Sequence, residues 1–109
     1  MIYVKQNDTR PPAYAALRRG TTPVVLTTAT SVTFKMTRLG RVDKKVDAAA
    51  TILNADTGEV EYRWFSSDTD ESGQYAAEWE ILWNDGTVET FPTIDFDYVL
   101  ITDDLDGNA

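Results

Sequence analysis

A period-two alternation of apolar and polar residues runs through much of the chain and is clearest over residues 75–83. Side chains of a strand point alternately to its two faces, so this pattern predicts a strand with one buried face. Glu78 and Glu80 then lie on the opposite face, toward solvent. The residues predicted to point into the core are Tyr75, Ala77, Trp79, Ile81 and Trp83.

A tight turn follows this strand at Asn84-Asp85-Gly86, since glycine adopts positive φ without steric cost. Residues 87–91 then return antiparallel and complete a hairpin. A two-residue loop would place Trp83 opposite Val88, whereas a three-residue loop would place it opposite Thr87. The sequence leaves both registers open.

Shorter alternating runs on both sides of the hairpin predict about eight short strands in all. Turn signals separate them by roughly 8–12 residues, which is typical of an all-β, immunoglobulin-like antiparallel β-sandwich. The polar stretch 66–73 is predicted to cross between strands, with Ser67 and Asp70 capping a single helical turn. The alanine content of 13–19 would equally suit a helical turn, whereas Val46, Ile52 and the turn that follows favour strand over helix for 45–54. The predicted strands outside the hairpin span 2–6, 13–19, 31–37, 45–54, 59–65 and 96–102, with a brief extended run at 23–26.

A local motif of the form D-x-x-G-x-Y-x-A spans residues 70–77. In immunoglobulin-type sandwiches, a tyrosine two residues before a core position of the sixth strand hydrogen-bonds back to the preceding corner. Tyr75 fits that tyrosine, and Ala77 fits the core position. The alternative is an ordinary tyrosine at the start of a strand.

Length and composition narrow the classes of function. The 109 residues predict one domain, 1–102, followed by an acidic C-terminal tail, 103–109. The sequence contains neither cysteine nor histidine, which removes thiol chemistry, the usual general base and the commonest transition-metal ligand. The acidic loops 68–71 and 103–108 do not follow the spacing of a calcium loop. We therefore predict a protein that is not an enzyme and has no cofactor or bound metal.

Targeting signals are also missing from the sequence. No apolar run approaches the roughly 20 residues of a transmembrane helix, and the opening MIYVKQ already has the rhythm of a strand. We expect no signal peptide, no membrane partner and synthesis in the cytoplasm.

The net charge of −8 is unevenly distributed. Residues 1–45 contain nine basic and two acidic residues, a balance of +7, and residues 46–109 contain one basic and sixteen acidic residues, a balance of −15. The two halves either neutralise one another within the fold or form basic and acidic surfaces that meet between copies. Overall acidity disfavours binding to nucleic acid.

The predicted interaction residues follow from the second interpretation. They are Arg18, Arg19, Arg38 and Arg41 on the basic side and Asp68, Asp70 and Glu71 on the acidic side, together with the 103–106 tail.

Aromatic residues offer one alternative function. Trp64, Trp79 and Trp83, with Tyr62 and Tyr98, would form a sugar-stacking platform if they lay in a row on a solvent-facing strand. Their alternation favours positions in the core. A carbohydrate-binding module is kept as an alternative.

The chain resembles the immunoglobulin-like domains of tailed-bacteriophage virions, particularly the N-terminal domain of siphophage baseplate upper proteins. The match runs in order along most of the chain. It comprises Gln6-Asn7-Asp8-Thr9, Leu17 before a glycine, Pro23-Val24-Val25-Leu26-Thr27-x-Ala29-Thr30-Ser31-Val32-x-Phe34-x-Met36, Asp56-x-Gly58-x-Val60-x-Tyr62-x-Trp64, Gly73-x-Tyr75-x-Ala77-x-Trp79 and Asp85-Gly86-Thr87-x-Glu89-x-Phe91-Pro92.

This resemblance implies a non-enzymatic structural part of the virion, present in many copies and joined to other virion proteins and to copies of itself. A tail or baseplate position is expected. Baseplate upper proteins carry the domain at the front of a longer chain, so a head decoration or head-fibre protein is the alternative.

Overall fold

The computed structural model describes residues 1–105 and is built from strands without helices. The strands are β1 Ile2–Lys5, β2 Ala13–Ala16, β3 Arg18–Arg19, β4 Thr22–Pro23, β5 Ala29–Arg38, β6 Lys44–Ala49, β7 Thr51–Asn54, β8 Glu59–Tyr62, β9 Gly73–Trp83, β10 Val88–Phe91 and β11 Asp97–Thr102. Residues 106–109 of the predicted acidic tail lie outside the described part.

The strands form two main sheets, which confirms the predicted all-β sandwich. The larger sheet has the order β1-β11-β9-β5-β6, and β10 also pairs with β9. The smaller sheet has the order β2-β8-β7, and β3 and β4 form a separate short hairpin. One pairing departs from the antiparallel prediction, because β1 runs parallel to β11.

The central strand β9 carries the core, as its alternation predicts. Tyr75, Ala77, Trp79 and Ile81 are fully buried, and β9 is flanked by β5 on one side and by β10 and β11 on the other. Trp83 also packs against the core but is only partly buried, so the prediction holds in part at this last position. The strand ends there.

Four aromatic side chains join the two sheets. Phe34 of β5 lies flat against Tyr62 of β8, with ring centroids 4.9 Å apart and planes at 13°. Trp79 packs on Phe34 at 4.7 Å, and Trp64 meets the same ring edge-on at 5.6 Å. Offset and edge-on contacts of this kind are the favoured arrangements of aromatic rings. They bury both tryptophans and hold the sheets at a fixed separation.

The hairpin adopts the register of a three-residue loop. The amide of Trp83 donates to the carbonyl of Thr87 at 2.9 Å, and Leu82 pairs with Val88. Gly86, with φ of 87°, donates back to the carbonyl of Trp83. Asp85 accepts hydrogen bonds from the amide and hydroxyl of Thr87, and these contacts fix the loop.

Two predicted strands are divided in the structure and the short strand β4 is added, which raises the count from about eight to eleven. The stretch predicted at 45–54 becomes β6 in the larger sheet and β7 in the smaller one. The alternation of buried and exposed residues continues across Ala50, although the neighbouring strand changes from β5 to β8. The sequence pattern therefore gives no sign that the chain passes from one sheet to the other. In the same way 13–19 divides into β2 and β3 around the buried Leu17.

The helical turn predicted at Ser67–Asp70 is wrong. The amide of Asp68 instead donates to the carbonyl of Phe65 in a tight turn, and Asp68 Oδ2 accepts from the Phe65 amide. Thr69 donates through its hydroxyl to the carbonyl of Asp8, which ties the crossing to the loop after β1. The Phe65–Asp68 turn and the contact of Thr69 with Asp8 thus take the place of the predicted helix cap.

The predicted tyrosine corner is present. The Tyr75 hydroxyl donates to the carbonyl of Glu71 at 2.7 Å, and its ring is fully buried. This bond fixes the chain at the point where the crossing 66–72 enters β9.

We predict that Trp79→Ala lowers the free energy of unfolding by about 3–5 kcal/mol, because a fully buried aromatic leaves a cavity between the sheets. Urea denaturation measures this change. Trp83→Ala is the matched control and should cost clearly less, since Trp83 is partly exposed. Equal losses would place the core elsewhere along β9.

Two glycines with positive φ provide a second comparison. A Cβ on Gly58, with φ of 73°, would lie 2.6 Å from the carbonyl oxygen of Val24, whereas a Cβ on Gly86 would meet nothing within 4 Å. Gly86→Ala should therefore cost only about 1–2 kcal/mol of backbone strain. Gly58→Ala should cost more, since backbone must move. Similar melting temperatures for the two variants would contradict the close approach at Gly58.

Candidate functional site

Charged surfaces and open strand edges are the candidate functional features of residues 1–105. In that part of the chain no group of three or more acidic side chains is arranged to hold a metal ion. The same residues contain no helix long and apolar enough to cross a membrane.

Four of the predicted interaction residues, Arg38, Arg41, Asp70 and Glu71, meet at one corner of the sandwich. Arg38, at the end of β5, and Arg41, in the turn after it, both contact Glu71 Oε1, at 3.0 and 2.9 Å. Next to them Lys45 Nζ lies 2.5 Å from Asp70 Oδ1. We call these five residues the ion-pair corner. Basic residues of the first half therefore pair with acidic residues of the second half within one subunit.

The ion-pair corner brings together charges from the basic first half and the acidic second half of the sequence. Of the two interpretations offered by the sequence, local neutralisation describes Arg38, Arg41 and Glu71, since the expected separate basic and acidic patches merge there. Exposed ion pairs contribute only about 0–1 kcal/mol each to stability. The pKa of Glu71 lies below its usual range because Arg38, and then Arg41, hydrogen-bond to its ionised form.

Asp68 does not belong to the acidic surface that the sequence predicts. Its side chain is buried and accepts a 2.6 Å hydrogen bond from the Tyr62 hydroxyl. Burial, and then this bond to a carboxylate, raises the pKa of Tyr62 far above its usual range. Asp68 is therefore a structural residue that anchors the crossing 66–72 to the aromatic core.

Arg19 forms a second cluster with residues of the β9–β10 hairpin. Its guanidinium makes two hydrogen bonds to Glu89, at 2.9 and 2.6 Å. It also lies over the rings of Trp83 and Phe91, at 5.9 and 5.8 Å. The bonds from Arg19 lower the pKa of Glu89. This bidentate salt bridge between Arg19 and Glu89 fixes β3 against the β9–β10 hairpin.

Arg18, the neighbour of Arg19, has a different environment. It makes no ion pair within residues 1–105, and its guanidinium donates to the carbonyl of Thr21 at 3.3 Å. Arg18 also lines a cleft of about 360 Å³ between the two sheets, as the last of five consecutive lining residues. Of the four predicted basic residues, Arg18 is therefore the one that has no ion-pair partner within residues 1–105.

The aromatic residues do not form a sugar platform. Trp64 and Trp79 are buried, as the alternation favours, and Tyr62 is buried with them. Trp83 is partly covered by Arg19, and the Tyr98 hydroxyl bonds to Asp95.

Sequence reasoning missed the partners of the basic residues and the cleft. Glu89 and Lys45 lie far in sequence from Arg19 and Asp70, and only the sheet register brings them together. The cleft is formed by strands whose order in the sheets the alternation does not encode. The uncharged run Ala13-Tyr14-Ala15-Ala16 was a usable signal, because exposed edge strands usually carry charge.

A scan against models of protein families finds no match to the chain, and a search of curated proteins finds no significant match.

The ion-pair corner predicts a pH dependence of stability. The folded-state pKa of Glu71 is lowered, so its contribution is fully present above the unfolded-state value of about 4.3 and is lost as pH falls through the folded-state value. Other carboxylates titrate in the same range, so the difference between the wild type and Glu71→Gln isolates the corner. We expect the wild type to be more stable at pH 7 and the difference to shrink toward pH 2. A difference independent of pH, measured by denaturant unfolding, would contradict the assignment.

Proposed function

We propose that this chain is a non-enzymatic structural protein of a tailed-phage virion, acting as a tail or baseplate component that assembles in many copies with other virion proteins. The observation that carries the proposal is the ordered series of motifs that the chain shares with virion immunoglobulin-like domains. The non-enzymatic part rests on side-chain chemistry, since the sequence has neither histidine nor cysteine.

The positions of these motifs in the fold support the proposal. All four aromatic residues that join the sheets, Phe34, Tyr62, Trp64 and Trp79, belong to the shared series. Gly58, where a side chain would strike the backbone, and Tyr75, which makes the corner bond, belong to it as well. The resemblance therefore covers residues that determine the fold, in addition to turns at its surface.

The charges suggest how such a protein would associate. Most of the predicted interaction residues are engaged within the subunit, and an exposed ion pair across an interface contributes only about 0.2–1 kcal/mol. Electrostatics would then orient the subunits, and stable attachment would come from apolar contacts and from many copies acting together.

Location of the chain in particles tests this function. Particles purified from cells that encode the chain are analysed by quantitative mass spectrometry and by immunogold labelling. We expect many copies per particle, with label on the tail or baseplate. Label on the head would favour a decoration or head-fibre protein instead. Particles that lack the chain although the cells express it would overturn the proposal.

A further inference from the structure

The outer edge of β2 has unpaired backbone groups. Within residues 1–105, β2 has β8 as its one strand neighbour and forms an edge of the smaller sheet. The amide of Leu17 donates to Gly58, and Ala15 pairs with Val60. Because antiparallel pairing alternates, the N–H and C=O groups of Ala15 face β8, and those of Tyr14 and Ala16 face away from it.

This edge faces the cleft between the sheets. One wall of the cleft consists of five consecutive residues, from Tyr14 to Arg18. Consecutive strand residues point to opposite faces, so a cleft that touches all of them runs along the edge of the strand. The far wall belongs to the larger sheet and combines apolar and polar side chains. It consists of Met1, Ile2, Phe91, Pro92, Asp97 and Tyr98, and the Asp97 carboxylate already accepts a hydrogen bond from Trp79 Nε1.

Two other edge strands, β6 and β7, carry charges or register shifts that discourage pairing, and β2 has neither. β6 contains Lys44, Lys45 and Asp47, and its register with β5 shifts between Met36 and Thr37. A register shift also interrupts the pairing of β7 with β8. Charges and irregularities of this kind protect edges from other strands. β2 is uncharged, and its register with β8 is regular throughout.

The charge at the end of the cleft indicates the chemistry of an occupant. Arg18 is exposed, and no carboxylate of residues 1–105 forms an ion pair with it. Its neighbour Arg19 is already engaged by Glu89. A strand lying along β2 would end beside the Arg18 guanidinium, which an acidic residue of that strand would neutralise.

We propose that an extended segment of a partner protein adds to β2 as a fourth strand of the smaller sheet. Its backbone pairs with Tyr14 and Ala16, its alternate apolar side chains enter the cleft, and an acidic residue faces Arg18. A single strand suits this space better than a second copy, because the far wall is the larger sheet of the same subunit. This inference rests on the proposed assembly function and names the surface and the chemical class of the partner.

A pair of proline substitutions tests the backbone pairing. The gene is deleted and each variant is supplied in trans, and copies per particle are counted by mass spectrometry. Ala16→Pro removes an outward N–H and keeps the bonds to β8. Ala49→Pro is the matched control on β6, where the bond from the Ala50 amide to Val32 shows that the Ala49 N–H also faces outward. We expect incorporation of Ala16→Pro to fall about tenfold and that of Ala49→Pro to stay unchanged.

A pair of charge reversals tests the acidic residue of the partner strand. Arg18→Glu should lower incorporation about two- to fivefold, as expected for one exposed ion pair. Lys44→Glu makes the same charge change on the edge of β6, where Lys44 forms no ion pair within the described residues, and should have no effect. Melting temperatures of all four variants check that each one folds.

Hydrogen exchange of the wild type gives a readout independent of substitution. In the isolated protein the amides of Ala15 and Leu17 should be protected, and those of Tyr14 and Ala16 should exchange freely. All four should be protected in particles. Particles that contain the chain but show no new protection, with Ala16→Pro and Arg18→Glu incorporated normally, would overturn this inference and leave the proposed function standing.

Two further outcomes have defined meanings. Particles without the chain would overturn the proposed function and this inference together. If the purified protein forms dimers in light scattering and the Tyr14 and Ala16 amides become protected in those dimers, the occupant is a second copy, and the partner strand is wrong.

Discussion

The contact of Phe34 with Tyr62 is the interaction on which the rest of the fold depends. It joins β5 of the larger sheet to β8 of the smaller one, with ring centroids 4.9 Å apart. Trp79 and Trp64 pack around the same ring, so all four aromatic side chains share one centre. Burial of each large aromatic stabilises the fold by about 2–3 kcal/mol, and the cluster also fixes how far apart the sheet edges lie.

The aromatic centre also positions the charged corner through Tyr62. Its hydroxyl bonds to Asp68, and Asp68 sets the path of the crossing 66–72. At the end of that crossing the carbonyl of Glu71 accepts from Tyr75 while its carboxylate meets Arg38 and Arg41. Buried hydrogen bonds thus place an exposed cluster. The ion pairs are a consequence of the fold and contribute little to holding it together.

The strand pattern was predictable from the sequence wherever burial alone determines it. Tyr75, Ala77, Trp79 and Ile81 alternate because β9 has one covered face, and the tyrosine corner follows from a local motif. The division of 45–54 between two sheets was not predictable, since alternation is the same in either sheet. The pairing of Arg19 with Glu89 depends on sheet register, and periodicity does not encode register. The buried position of Asp68 escaped prediction because a polar loop gives no sign that it folds back onto Tyr62, six residues earlier in the chain.

The pairing of β1 with β11 has a consequence for biosynthesis. The register joins Ile2 to Val99 and Lys5 to Thr102. Strand β1 therefore has no neighbour in the larger sheet until β11 has been synthesised. The pairing of β5 with β9 likewise joins residues far apart in the chain, from 37 positions for Arg38 and Tyr75 to 54 positions for Ala29 and Trp83. Contacts that are distant in sequence slow folding, because long loops must close first. A ribosome-bound fragment lacking β11 leaves β1 unpaired, and the larger sheet is completed only after synthesis has passed Thr102.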